Sequence, residues 1–225
     1  MSARGARTAA CAAAGLGLAA CAGTPPPPPP AAVLDIAAKR CGNAYDTALA
    51  VTIAPEKYRR QHDVAAALDG ASPCVALPDG QNANYAVFAL PPASRHHLFT
   101  AGAMPEAVRS VAPAVLTLRA DGTVSRRFAG EDLIQRGAML SAQFRARADE
   151  AYLVIRSDPD RVGQTRSAVE TGVVTGSTYV YTPTGGGTAY TSSGYDREVA
   201  RTFSHEGRVL VRMQDTTPKA ERRKD

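Results

Sequence analysis

Short runs of apolar or alternating residues, each closed by Gly, Pro or Asp, dominate the chain beyond Pro73 and constrain its fold most. Runs of this length are typical of β-strands. Asp121-Gly122 joins two of them, a dipeptide typical of a tight hairpin. Pro113 lies inside the first of these two runs, where we expect an edge position or a bulge because proline cannot donate to a ladder. The pattern predicts a mainly β protein, an antiparallel, jelly-roll-like β-sandwich. The predicted strands are residues 85–90, 97–101, 108–118, 123–128, 139–147, 152–155 and 208–213.

Two segments have helical spacing and predict one to three short accessory helices. In residues 33–68 apolar side chains recur at helical intervals, and Pro55 suits the first position of a helix. In residues 160–172, Val162, Arg166 and Val169 recur at i, i+4 and i+7. We therefore expect one domain over residues 33–213 with a helical N-terminal part, since about 180 residues suffice to bury a single core.

The N-terminal segment has the features of an export signal. Arg4 and Arg7 precede a run of small apolar residues that is too short to span a membrane. The run ends in Leu18-Ala19-Ala20-Cys21, which resembles a bacterial lipobox. We expect residues 1–20 to be a signal peptide and Cys21 to be the lipidation site. An ordinary A-x-A signal without lipidation is the alternative.

A stiff linker and a basic tail flank the predicted domain. Residues 21–32 contain six consecutive prolines, which in polyproline II extend about 3.1 Å each. No Asp follows Cys21, and by resemblance to enterobacterial sorting this favours a periplasmic protein anchored to the outer membrane. Residues 214–225 form a polar, basic tail that we expect to be disordered. Because much of the net charge of +5 lies at the two ends, it argues poorly for a nucleic-acid partner.

The remaining cysteines, Cys41 and Cys74, predict one disulfide in an oxidising compartment. Two buried, reduced thiols are the alternative. The cysteine spacing and the four histidines match no metal-ligand pattern, so we expect no metal site and no cofactor.

Residues 172–195 are rich in Gly, Thr, Ser and Tyr and contain no charged residue. Gly185-Gly186-Gly187 could turn a long hairpin or lie in a mobile loop. Tyr179 and Tyr181 share a strand face, and Tyr190 would extend that face if it paired across the turn. Aromatic faces stack on sugars, so these three tyrosines are candidate ligand-binding residues. A contact with another protein, or a plain Tyr/Thr-rich hairpin, remain open.

No catalytic motif is present, and we expect that the chain is not an enzyme. It has no G-x-S-x-G, P-loop or G-x-G-x-x-G sequence. The adjacent acids Glu131-Asp132 and Asp149-Glu150 could serve glycoside hydrolysis only if they faced each other across a cleft. Turn or helix-cap positions are the simpler interpretation.

Four short pieces, in order, resemble the maltose-operon periplasmic protein family of Gram-negative bacteria. They are residues 88–91 (FALP), 112–118 (APAVLTL), 152–155 (YLVI), and 199–201 (VAR) leading to 209–211 (VLV). The resemblance implies an exported, mostly β domain linked to maltose or maltodextrin uptake, without a catalytic motif. The lipobox and the Gly/Tyr segment depart from the family's pattern.

These observations together predict an exported envelope lipoprotein that is a non-enzymatic accessory in carbohydrate transport or binding. Its expected partners are the membrane, through the lipid anchor, and a maltodextrin or an envelope protein. The alternative is an envelope scaffold that contacts other proteins and binds no sugar.

Overall fold

A computed structural model describes residues 26–54, 60–182 and 185–217. The regular structure of these residues is β, apart from three one-turn 3-10 helices at Thr47–Leu49, Gly130–Asp132 and Pro159–Arg161. The predicted mainly β sandwich is confirmed. The strands are β1 (Val51–Thr52), β2 (Gln61–Leu68), β3 (Cys74–Ala76), β4 (Asn82–Ala89), β5 (His97–Met104), β6 (Arg109–Val111), β7 (Pro113–Arg119), β8 (Val124–Phe128), β9 (Ile134–Arg136), β10 (Met139–Phe144), β11 (Glu150–Ser157), β12 (Thr165–Thr182), β13 (Gly185–Ser204) and β14 (Gly207–Asp215).

Two sheets face each other. The first has the order β1-β4-β11-β7-β8, with β3 also paired to β4. The second has the order β2-β14-β5-β10-β9, and all its pairs are antiparallel. In the first sheet only β1 runs parallel to its neighbour. Antiparallel pairing of sequence-distant strands such as β14 and β2 ties the two ends of the domain together.

The main core lies between the inner faces of these sheets. Phe88 on β4 and Leu153 and Ile155 on β11 contribute from the first sheet, and all three are fully buried. Phe99 on β5 and Met213 on β14 contribute from the second. Burial of such side chains contributes about 1.5–3 kcal/mol each, so this layer supplies most of the apolar stabilisation.

A smaller core covers the outer face of the first sheet. Val87, Leu116 and Val154 point to this side, and they are buried beneath residues from the N-terminal segment, including Tyr45. The Tyr45 ring meets the Tyr85 ring edge-on, with centroids 5.1 Å apart. Because both faces are covered, the central strands are nearly continuous apolar runs, which is why the sequence identified them.

The disulfide Cys41–Cys74 fastens this N-terminal segment to β3, with a Cα–Cα distance of 4.8 Å. The backbone of Gly42 also bonds to both Cys74 and Ala76. The predicted disulfide is therefore confirmed, and it holds the covering segment against the outer face.

The third sheet is a long hairpin. β12 and β13 pair antiparallel from Thr165↔Thr202 to Thr182↔Gly185. Only the end of β13, Thr202–Ser204, also pairs with β6, in parallel. Gly185, Gly186 and Gly187 are thus the first residues of β13 in a long hairpin rather than part of a mobile loop, and residues 183–184, which join the two strands, lie outside the described residues.

The helices predicted within residues 33–68 and 160–172 are wrong, apart from one-turn 3-10 helices. Residues 61–68 form β2, where His62, Val64, Ala66 and Leu68 alternate towards the core. Every second residue is buried, as in a strand with one face on the core, and Ala65 and Ala67 face outward. The spacing of the alanines also fits a helix. Residues 165–172 belong to β12, and only the 3-10 turn at 159–161 is helical. The described part of the segment before β2 is irregular except for the 3-10 turn at 47–49 and the two-residue strand β1, and residues 55–59 lie outside the described residues.

Pro113 occupies neither an edge strand nor a bulge. It is the first residue of β7, a central strand, where a missing N–H donor is tolerated. The run 108–118 is split at Ala112 because the chain leaves the hairpin sheet there and enters the first sheet.

Both ends of the predicted domain organisation fall partly outside the described residues. The signal peptide 1–20, Cys21 and residues 218–225 lie there. β14 continues through Asp215, two residues beyond the predicted domain end, and Thr216 still bonds to the His96 carbonyl.

Candidate binding surfaces of the hairpin

The β12–β13 hairpin extends beyond the sandwich. Residues 185–201 of β13 pair only with β12, and β12 has no second strand partner among the described residues. At about 3.3 Å per residue, a strand of 18 residues spans roughly 60 Å. Most of its side chains are exposed. Surface for contacts is therefore available on both faces and along both edges of this ribbon.

Three tyrosines share one face near the tip. Tyr179 and Tyr181 are two residues apart on β12, and Tyr190 is paired with Ser177, which has the same parity. The rings of Tyr179 and Tyr181 meet edge-on with centroids 4.9 Å apart. Tyr179, Tyr181 and Tyr190 are 56%, 85% and 75% exposed. The structure thus brings all three sequence-identified tyrosines together on an accessible surface, here called the tyrosine face.

Glycine shapes this face. A Cβ at Gly186 would lie 2.3 Å from the Tyr179 hydroxyl oxygen, so the ring rests over bare backbone. A tyrosine laid across a cross-strand glycine stabilises a ribbon that has no second layer. Gly186 at the start of β13 therefore sets the orientation of the Tyr179 ring.

The opposite face of the hairpin, near its base, closes over a cleft of about 460 Å³. The floor is apolar and comes from β5, β10 and the end of β13, and the roof comes from β12 and β13. The volume is in the range of small-molecule sites. The residues that characterise this basal cleft are Leu140, Phe203, Ser110, Gln135, Arg166 and Tyr195.

Arginines dominate the charge of the basal cleft. Arg166 and Arg201 are directly paired across β12 and β13, so their side chains share a face. Arg201 donates to Glu170 and to the Glu106 carbonyl oxygen. Glu170 also pairs with Arg197, with 3.2 Å between Nη2 and Oε2. The one carboxylate that lines the cleft among the described residues is therefore already engaged by two guanidinium groups.

The Arg166 side chain makes no hydrogen bond or ion pair with any described residue. Burial, and then the positive charge of Arg161, lower the pKa of the Arg166 guanidinium. Arg161 does not line the cleft itself, but its Cζ lies 4.7 Å from the centroid of the Phe203 ring, which does. Sequence reasoning missed this arrangement. The register of the Gly-rich hairpin would have paired Arg166 with Arg201, had residues 165–171 been assigned to a strand.

A serine and a histidine also meet at the end of the sandwich. Ser157 Oγ lies 3.0 Å from His205 Nδ1, and both residues are buried. Burial lowers the pKa of His205, with Asp35 acting in the opposite direction. Ser157 has no solvent exposure, so a substrate carbonyl cannot reach its hydroxyl in this structure. The pair is a buried polar contact.

The adjacent acid pairs occupy turns and ion pairs. Asp132 accepts from the Ala129 N–H at the start of a 3-10 turn. Glu150 is buried and is bound by Arg126, with 2.6 Å between Nη2 and Oε2. Burial alone would raise the pKa of Glu150, but hydrogen bonds from Arg126, the Arg147 N–H and Thr117 lower it to about 2. These contacts are those of turn and core-edge residues, and neither pair lines the basal cleft.

Within the described ranges, no cluster of three or more His, Cys, Asp or Glu side chains is placed to hold a metal ion. The same residues contain no helix with the length and hydropathy needed to cross a bilayer.

Comparison of the chain with protein-family models, with curated proteins and with solved structures found no match. The resemblance to the maltose-operon family therefore stays a prediction from the four short sequence pieces.

Proposed function

We propose that this chain is an exported lipoprotein of the bacterial envelope, anchored through Cys21, and a non-enzymatic accessory in maltodextrin binding or transport. The tyrosine face supports this proposal most directly. It places three exposed rings on one side of a projecting ribbon, where the flat apolar faces of sugar residues can stack and hydroxyl groups can bond to the ring edges. The lipobox-like sequence and the proline-rich linker support the location.

The geometry suits an extended chain better than a monosaccharide. Tyr179 and Tyr190 lie on neighbouring strands of a ribbon, and both are more than half exposed. An open surface buries only part of a small ligand, so useful affinity requires several stacked sugar units. We therefore expect maltohexaose to bind more tightly than maltose.

Thermal unfolding of the full mature chain with Cys21→Ser, titrated with maltose, maltotriose and maltohexaose, tests this function. A ligand at 100 times its dissociation constant adds about 2.7 kcal/mol to the free energy of unfolding. The double variant Tyr179→Thr/Tyr181→Thr keeps residues that suit strands and should lose this stabilisation. Tyr195→Thr, on the opposite face of the same ribbon, is the matched control and should keep it. A flat titration of the unsubstituted protein would refute the sugar-binding proposal.

A second function, contact with another envelope protein, is favoured by a different observation. The outer edge of β12 pairs with no strand in the described part of the chain, and Val169 and Val173 on this strand are each 68% exposed. Unpaired edges and exposed apolar side chains are features of strand-addition interfaces. A photo-crosslinking residue at position 173 should capture one discrete partner in cells, whereas the same residue at the exposed position of Arg208 on β14, a strand paired on both sides, should not. Equal labelling from both positions would contradict this function.

A further inference from the structure

The side chains that line the basal cleft carry more positive than negative charge, and no contact within the described fold balances the excess. Arg166 and Arg201 face the same space from adjacent strands. Like charges directly opposite each other destabilise a strand pair. Glu170 neutralises Arg201, but Arg166 has no carboxylate or other acceptor among the described residues. A folded protein rarely keeps a partly buried guanidinium without a partner unless something else supplies the negative charge.

Arg161 adds to the same imbalance. Its guanidinium lies over the ring of Phe203, a residue that lines the cleft. Its Nη1 atom is buried and has no hydrogen-bond partner in the described part of the chain. The guanidinium groups of Arg161 and Arg166 are close enough to repel each other electrostatically. Arg166 therefore borders the cleft without a side-chain partner among the described residues, and Arg161 lies against Phe203, one of the lining residues, so the local potential is positive.

The cleft walls indicate what else the ligand must carry. Leu140 and Phe203 are buried and apolar, and Tyr195 presents a half-exposed ring at the hairpin side. The Tyr195 ring lies over Gly172, where a Cβ would be only 2.3 Å from it, so the ring is held against the ribbon. The side chains of Ser110 and Gln135 offer neutral hydrogen-bonding groups. A small ring would pack against the apolar floor and the Tyr195 side chain. An anionic group on that ring would bind the guanidinium group of Arg166.

We propose that the basal cleft binds a small oxyanion, a carboxylate or a phosphate carried on a sugar-sized ring, through the guanidinium group of Arg166. Its planar fork of donors matches both groups in a bidentate geometry. The ring packs against Tyr195 and the floor at Leu140. This site lies on the face of the hairpin opposite the tyrosine face, and it is independent of maltodextrin binding.

Isothermal titration of the mature chain with Cys21→Ser, at fixed ionic strength, tests the site with four probes. D-glucuronate and glucose 6-phosphate carry the two oxyanions on a ring, and D-glucose carries neither. Glycerol 3-phosphate presents the phosphate of a lipid headgroup without a ring. We expect saturable binding of glucuronate or glucose 6-phosphate and none of glucose. Tighter binding of glycerol 3-phosphate than of glucose 6-phosphate would overturn the role of the ring.

Substitution of the arginine provides the decisive comparison. R166Q should weaken binding of the oxyanion at least about 10-fold, since it removes the charge-assisted hydrogen bonds of the guanidinium group. R166K keeps the charge but not the fork and should retain part of the affinity. R208Q removes an exposed arginine on β14 and should leave binding unchanged. Equal affinity of R166Q and the unsubstituted chain, or no saturable binding of any anion, would overturn the proposal.

Discussion

His205 shows how one buried side chain couples this fold to pH. It lies just after β13, and its Nδ1 atom faces the hydroxyl of Ser157 in a buried setting. Burial favours the neutral imidazole and therefore lowers the pKa of His205 in the folded state. In the unfolded chain the same group titrates near pH 6.5. The folded protein thus binds a proton less readily than the unfolded protein.

The free energy of unfolding is therefore expected to fall as the pH decreases below about 6.5. The stability that the neutral His205 contributes is fully present above that pH and is lost towards its lowered folded pKa. The slope from one proton is at most about 1.4 kcal/mol per pH unit. Urea unfolding at several pH values between 7.5 and 5, for the unsubstituted chain and for His205→Asn, measures it. Identical pH slopes for the two proteins would contradict this assignment.

At the scale of elements, the pattern of burial decides what sequence can predict. β4, β7 and β11 were predictable because residues such as Val87, Leu116 and Val154 are apolar and lie in a sheet covered on both faces. β2 was not predictable, because its alanines suit a helix and a strand equally. Only pairing with β14, a strand distant in sequence, makes it a strand. The register of β12 and β13 places Tyr190 on the same face as Tyr179 and Tyr181. The same register forms the basal cleft, and no local sequence motif predicts that cleft.

The N-terminal segment makes a separate prediction about the disulfide. It covers the outer face of the first sheet with little regular structure of its own, so Cys41–Cys74 supplies much of its attachment. In the chain-entropy model, closing a loop with a sequence separation of 33 residues stabilises the fold by about 3–4 kcal/mol. Cys41→Ser/Cys74→Ser should lower the free energy of unfolding by about that amount.

Denaturant unfolding of this double variant measures the loss, and hydrogen exchange locates it. We expect faster exchange at the Ala76 N–H, which bonds to the Gly42 carbonyl, and unchanged exchange in the main core at Leu153. Uniform acceleration throughout the sandwich would show instead that the segment and the main core unfold together.

At the scale of the whole molecule, the sandwich and the tip of the hairpin are separable. The main core contains no residue between Val174 and Ser193, and the described side chains of that stretch are exposed. The base of the hairpin is different, since Phe203 belongs to the core and Arg201 binds Glu106 and Glu170. One ribbon therefore carries two surfaces with different dependence on the body of the protein.

Shortening the ribbon should separate those surfaces experimentally. Val174 and Ser193 are register partners, so replacing residues 175–192 with Asn-Gly closes the hairpin by a two-residue turn. We expect the melting temperature to change by no more than about 2 °C, because the removed residues contribute no core burial. Maltodextrin binding should be lost with Tyr179, Tyr181 and Tyr190. Affinity for glucuronate or glucose 6-phosphate should persist because Arg166 and Tyr195 remain. If the shortened protein lost both activities while its melting temperature held, the tip rather than the base would form the anion site.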